Sequence, residues 1–125
     1  MPILRRAWLT AGMGLVMAVI YLSVAPAPDV PRLPGGGHLD HVLAYAMLMF
    51  WFMQLADIGA SRALIAVALI ALGIALELAQ LYVPGRTFEV ADMVANAVGV
   101  SLGWLLAPPR TRNLPGALAA CFSRR

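Results

Sequence analysis

The sequence predicts an all-α fold, a polytopic membrane bundle of four transmembrane helices, and three observations predict it. First, the 125-residue chain is 62% hydrophobic and carries only nine basic and six acidic side chains, far too apolar for a soluble domain of this size. Second, its apolar residues fall into four runs, at about 8–24, 40–58, 63–83 and 89–107, each near the roughly 20 residues that cross a hydrocarbon core about 30 Å thick. Third, the breaks between runs carry turn residues: Pro26 through Gly37, the Gly59 and Ser61 region before Arg62, and Pro84-Gly85.

The first run follows Arg5 and Arg6 and precedes Ala25-Pro26-Ala27, a pattern shared with cleavable signal peptides. Its apolar stretch is longer than a typical signal core and further spans follow, so a retained anchor is expected. The second run is headed by Asp40, His41 and Tyr45. In the third, eleven Leu, Ile or Val residues at about 0.3 to 0.6 kcal/mol each offset Glu77, which costs at most about 3.5 kcal/mol. The fourth sets only seven such residues against Glu89, Asp92 and Asn96, so runs three and four are expected to insert together as a hairpin. Residues 1–107 then form one four-helix domain and 108–125 a short basic tail. Cys121 is the lone cysteine, which excludes a disulfide framework, and no metal-ligand spacing or cofactor motif is present.

All nine basic residues are arginine, and they set the expected orientation. With the N-terminus cytoplasmic, Arg5, Arg6, Arg62, Arg110, Arg112, Arg124 and Arg125 lie inside and only Arg32 and Arg86 outside. Both termini are therefore expected in the cytoplasm, with the protein in the cytoplasmic (inner) membrane. No basic face interleaved with aromatics points to nucleic acid.

At about 1.5 Å per residue, this topology brings polar residues of three helices into one outer layer. Spacing pairs them: His41 with Tyr45, Glu77 with Gln80, and Asp92 with Asn96 each share a helix face. Gly73 joins the Glu77 face, while Gly99 and Gly103 continue the Asp92 stripe in a small-residue pattern suited to close helix packing. Arg86, in the turn between runs three and four, is placed to pair with Glu77 or Asp92. Ionisable groups at membrane depth mark functional sites by default. The competing structural roles are a buried ion-pair clamp for Glu77, Arg86 and Asp92, interhelical amide bonds for Gln80 and Asn96, and interfacial anchoring for His41 and Tyr45. His38 is expected to be a solvated loop residue, and Trp8, Trp51 and Trp104 interfacial or packing aromatics.

Glu77-x-x-Gln80, Pro84-Gly85-Arg86 and Asp92-x-x-x-Asn96-x-x-Gly99-x-x-x-Gly103, with the earlier His41-Val-Leu-Ala-Tyr45, resemble the signature of the VanZ-like membrane family. The resemblance covers about residues 37–106. It implies a small helical membrane domain, a cell-envelope setting and a link to glycopeptide resistance of the teicoplanin type, and it maps His41, Tyr45, Glu77, Gln80, Arg86, Asp92 and Asn96 onto motif positions. One departure stands out: many members carry Asp-Lys four and three residues before the histidine, where this chain has Gly37 and His38.

The preferred functional expectation is non-catalytic binding in an outward-facing polar site, with the bilayer itself and a lipid head group or lipid-linked cell-wall precursor as partners. An intramembrane enzyme using His41 or Glu77 as base, or a structural membrane subunit, is the alternative. Transport fits less well, because the inner halves of the spans offer only Gln54 and Asp57.

Overall fold

The computed structural model describes residues 2–26, 37–56, 60–111 and 113–122, and among them the chain forms five helices and no strand. These are α1 (Pro2–Val24), α2 (His38–Met53), α3 (Ala60–Gln80), α4 (Val90–Leu106) and α5 (Leu114–Phe122). The segments Ile3–Val24 and Ser61–Gln80 are long and apolar enough to cross a membrane. With 16 and 17 residues, α2 and α4 extend about 24 and 26 Å, short of a full core. Length and composition thus support two spans where the sequence led us to expect four. Arg32, Asp57, Arg112, Arg124, Arg125 and most of the expected outer loop lie outside the described residues.

Burial follows the helical period but inverts the usual polarity. On α4 the buried positions are Asp92, Ala95, Asn96, Gly99, Val100 and Gly103, whereas Val90, Val94, Val98, Leu102, Leu105 and Leu106 face outward. Likewise α3 buries Glu77 and Gln80 while exposing Leu64, Val67, Ile74 and Leu78. Acids and amides inside, aliphatics outside, is the distribution that an apolar surrounding favours.

The tightest pairing is α2 with α4, because glycines face backbone there. A Cβ at Gly99 would collide with the Val42 carbonyl oxygen, and one at Gly103 with that of Ala46. Tyr45, Leu48, Met49 and Met53 on α2 fill the core with Leu69 and Leu76 of α3 and Val100 of α4. Helix α1 is held by clamps at its two ends. Near its start, the Trp8 and Trp51 rings stack with centroids 4.1 Å apart, and each indole N–H donates to the other residue's carbonyl, at 3.1 and 2.9 Å. Gly12 makes room for this, since a Cβ there would meet the Trp51 ring at 2.8 Å.

The segment 108–125, expected as a short basic tail, contains α5. Asn113 caps it, its Oδ1 accepting the Gly116 N–H at 2.8 Å, and Gln54 docks it by accepting the Leu114 N–H at 3.0 Å. A nine-residue helix is too short to persist alone, so the docking decides it, and a sequence pattern does not display docking. At the same end Arg62 is buried and donates to the Pro108 carbonyl, so this arginine is part of the packed structure and not a solvated loop charge.

Candidate functional site

The polar site lies at the other end of the bundle, around the turn joining α3 to α4. Pro84 and Gly85 occupy the middle of that turn, closed by an Arg86 N–H to Val83 carbonyl bond of 3.2 Å. Gly85 takes φ +74°, which a side chain would oppose, so Pro-Gly yields the type II geometry that reverses the chain in four residues. A cavity of about 320 Å³ opens beside it, walled by Val19 and Leu22 of α1, His41 and Tyr45 of α2, Gln80 of α3 and Asp92 of α4, with the 85–89 turn across its mouth.

Beside it, around His41 and Asp92 of its lining, the side chains of three helices meet. His41 Nδ1 lies 3.0 Å from Asn96 Oδ1 and 3.8 Å from Glu77 Oε1, and its Nε2 lies 3.5 Å from Asp92 Oδ2. Asn96 reaches this position because Gly73 has no side chain: a Cβ there would stand 2.8 Å from Asn96 Nδ2. Glu77 is 1% exposed and its Oε2 accepts the Glu89 N–H at 3.4 Å. Glu89 is the N-cap of α4, so this carboxylate occupies the helix end where negative charge is favoured, and Asp92 sits in the same first turn. Tyr45 is buried, and its hydroxyl has no hydrogen-bond partner among the described residues.

Two residues behave differently from expectation. Arg86 reaches α1, donating to the carbonyls of Ala25 at 3.1 Å and Leu22 at 2.5 Å. Gln80 adds a bond to the Ser23 carbonyl at 3.3 Å. Both cap the carbonyl end of α1, where unpaired backbone acceptors and the helix dipole call for donors and positive charge. Arg86 thus clamps the end of a neighbouring helix. His38, in turn, is no bystander: it opens α2, and its Nδ1 lies 2.5 Å from Asp92 Oδ1. That hydrogen bond, and then the charge of Asp92, hold the His38 pKa above its ordinary value. The available signal was its register, since it stands where the VanZ-like pattern has lysine, and a histidine can also present positive charge to Asp92.

A model of the VanZ/LLP1 family matches residues 19–112, which include every residue just described around the cavity. The chain belongs to the VanZ/LLP1 family. An uncharacterized protein of Schizosaccharomyces pombe is 30% identical over 103 residues, covering 82% of this chain and 64% of that protein. The chain thus spans somewhat under two thirds of this relative's length. No solved structure matches it. In this VanZ/LLP1 protein the motif residues His41, Glu77, Asp92 and Asn96 meet on three helices, while Gln80 and Arg86 reach to the fourth.

Proposed function

We propose that this VanZ/LLP1 protein is a four-span membrane protein with both termini cytoplasmic, whose cavity receives the polar head group of an amphiphile from the outer leaflet without catalysing a reaction. The carrying observation is the cavity's composition: Val19 and Leu22 on one wall, charged groups on the others. A ligand that is apolar along one side and polar at its end fits such a lining. For α2 and α4 the outward aliphatic stripes support spanning despite their length, because a short helix is accommodated by local bilayer thinning. Among the described residues that line the cavity, Asp40, Glu89 and Asp92 outnumber Arg86, so an amine-bearing head group suits it better than an anionic one. A fungal relative favours head-group chemistry common to membranes over a ligand confined to bacterial walls, and glycopeptide resistance is then one outcome of a more general binding role.

Native mass spectrometry of protein in nanodiscs containing equal phosphatidylethanolamine and phosphatidylglycerol tests this. The wild type should retain phosphatidylethanolamine, and Ala44→Phe, which fills the cavity, should lose it while remaining folded. Equal retention of both lipids by both proteins would sink the proposal. The His41 and Asp92 pairing supports an enzymatic alternative, in which lipid mass would change over time in wild type and stay constant in His41→Gln.

A further inference from the structure

In the site His41, Asp92 and Glu77 each have one polar atom tied down by a neighbour, and each offers a ligand atom within 4.8 Å of the other two. His41 holds Asn96 Oδ1 through Nδ1, Asp92 meets His38 through Oδ1, and Glu77 accepts the Glu89 N–H through Oε2. Of the other atoms, Asp92 Oδ2 lies 3.5 Å from His41 Nε2, and Glu77 Oε1 lies 3.8 Å from His41 Nδ1. Of these, Glu77 Oε1 is fully buried and receives no hydrogen bond from any described residue. Leaving a buried carboxylate oxygen unmatched is costly, so it implies a partner. With Nδ1 donating to Asn96, Nε2 presents a lone pair toward Asp92 Oδ2 at 3.5 Å, and two acceptors then face one another. A cation between them removes the conflict.

We propose that His41, Glu77 and Asp92 bind a divalent transition-metal ion, Zn²⁺ by the character of the donors, with its fourth position open to the cavity. One donor atom from each residue lies within 4.8 Å of the others. Ligands about 2.1 Å from a tetrahedral ion stand roughly 3.4 Å apart, so the His41 Nε2 to Asp92 Oδ2 separation of 3.5 Å already fits, and Glu77 is the ligand that has to draw in. One imidazole and two carboxylates suit zinc, and a three-ligand site leaves room for a ligand oxygen. Asn96, His38 and the Glu89 backbone occupy the places that orient metal ligands from outside. Tyr45 lines the same cavity with an unmatched hydroxyl, a donor for whatever oxygen occupies the open position. The neighbouring group of His38, Glu89 and Asp92 is the weaker candidate, because two of its members are exposed. A protonated His41 bridging the two carboxylates is the competing account, and it predicts no metal uptake.

This inference does not depend on which amphiphile enters the cavity. Full-length protein in phosphatidylcholine nanodiscs, stripped with EDTA, is titrated with Co²⁺ and then Zn²⁺. We expect one equivalent of Co²⁺ per chain, with the intense visible absorption of a tetrahedral site, displaced by Zn²⁺. His41→Gln and Asp92→Asn should each weaken uptake at least about 100-fold, and Asn96→Leu by roughly 10- to 100-fold. Cys121→Ser should leave it unchanged. Absence of stoichiometric uptake by the wild type overturns the proposal whatever the variants do, as does uptake that survives His41→Gln or vanishes with Cys121→Ser. Helix content in EDTA confirms folding of each variant, and lipid retention is read separately, so failure of head-group binding and failure of metal binding are distinct results.

Discussion

Asn96 and Arg86 show how a side chain's role depends on what stands beside it. Asn96 meets His41 only because position 73 is glycine, and the added methyl of Gly73→Ala would stand 3.2 Å from Asn96 Cβ as well as 2.8 Å from its amide nitrogen. We expect this substitution to cost about 1 to 3 kcal/mol, read as a lower thermal midpoint in nanodiscs, and to weaken metal uptake as Asn96→Leu does. Arg86 is legible in the sequence as an important cation, but its target is not. Two acids nearby suggest an ion pair, but the end of α1 also presents carbonyls without helical partners, and Arg86 donates to two carbonyls there. Arg86→Ala should loosen α1 by roughly 1.5 to 3 kcal/mol at most, the range for hydrogen bonds from a charged donor, and less where solvent reaches the pair. The measurement is faster protease cleavage within α1 with Co²⁺ uptake retained.

Among the elements, α2 and α4 depend on glycines where their backbones touch. Gly99→Ala should lower the thermal midpoint and the amount of protein in membranes, because its Cβ meets backbone atoms that cannot rotate away. Gly14→Ala is the matched control: nothing lies within 4 Å of a Cβ there, so no loss is expected. The small-residue spacing made this contact readable from sequence, since period and residue size suffice to mark a packing face. Helix α5 was not readable in that way. Its cap, Asn113, also donates to the Gln54 carbonyl at 2.6 Å, and that long-range bond has no signature along the chain. Asn113→Ala should cost about 1 kcal/mol and speed hydrogen exchange across α5, while leaving α2 to α4 unchanged.

For the whole molecule the question is which side of the membrane the site faces. Arginine counting predicts the α3–α4 turn outside and the tail inside, and the single cysteine makes this measurable. In intact cells a membrane-impermeant maleimide should leave Cys121 unlabelled until the membrane is opened. It should label Thr87→Cys, made in a Cys121→Ser background, from the start. The reverse pattern would invert the topology and place the cavity in the cytoplasm, with the geometry of the site unaffected.

The sequence by itself determined the helical class, the approximate limits of four helices, the family, and the stripe of polar and small residues from Glu77 to Gly103. These depend on composition and on a period of 3.6 residues, both of which are local properties of a chain. Only the tertiary structure decided that Arg86 and Gln80 cap α1, that His38 meets Asp92, that α5 docks on Gln54, and that one donor atom each of His41, Glu77 and Asp92 lies within 4.8 Å of the others. Each of these depends on residues from different helices coming within a few ångströms. Spacing along one helix fixes which side chains share a face, but it does not fix how far one helix is rotated and shifted against the next.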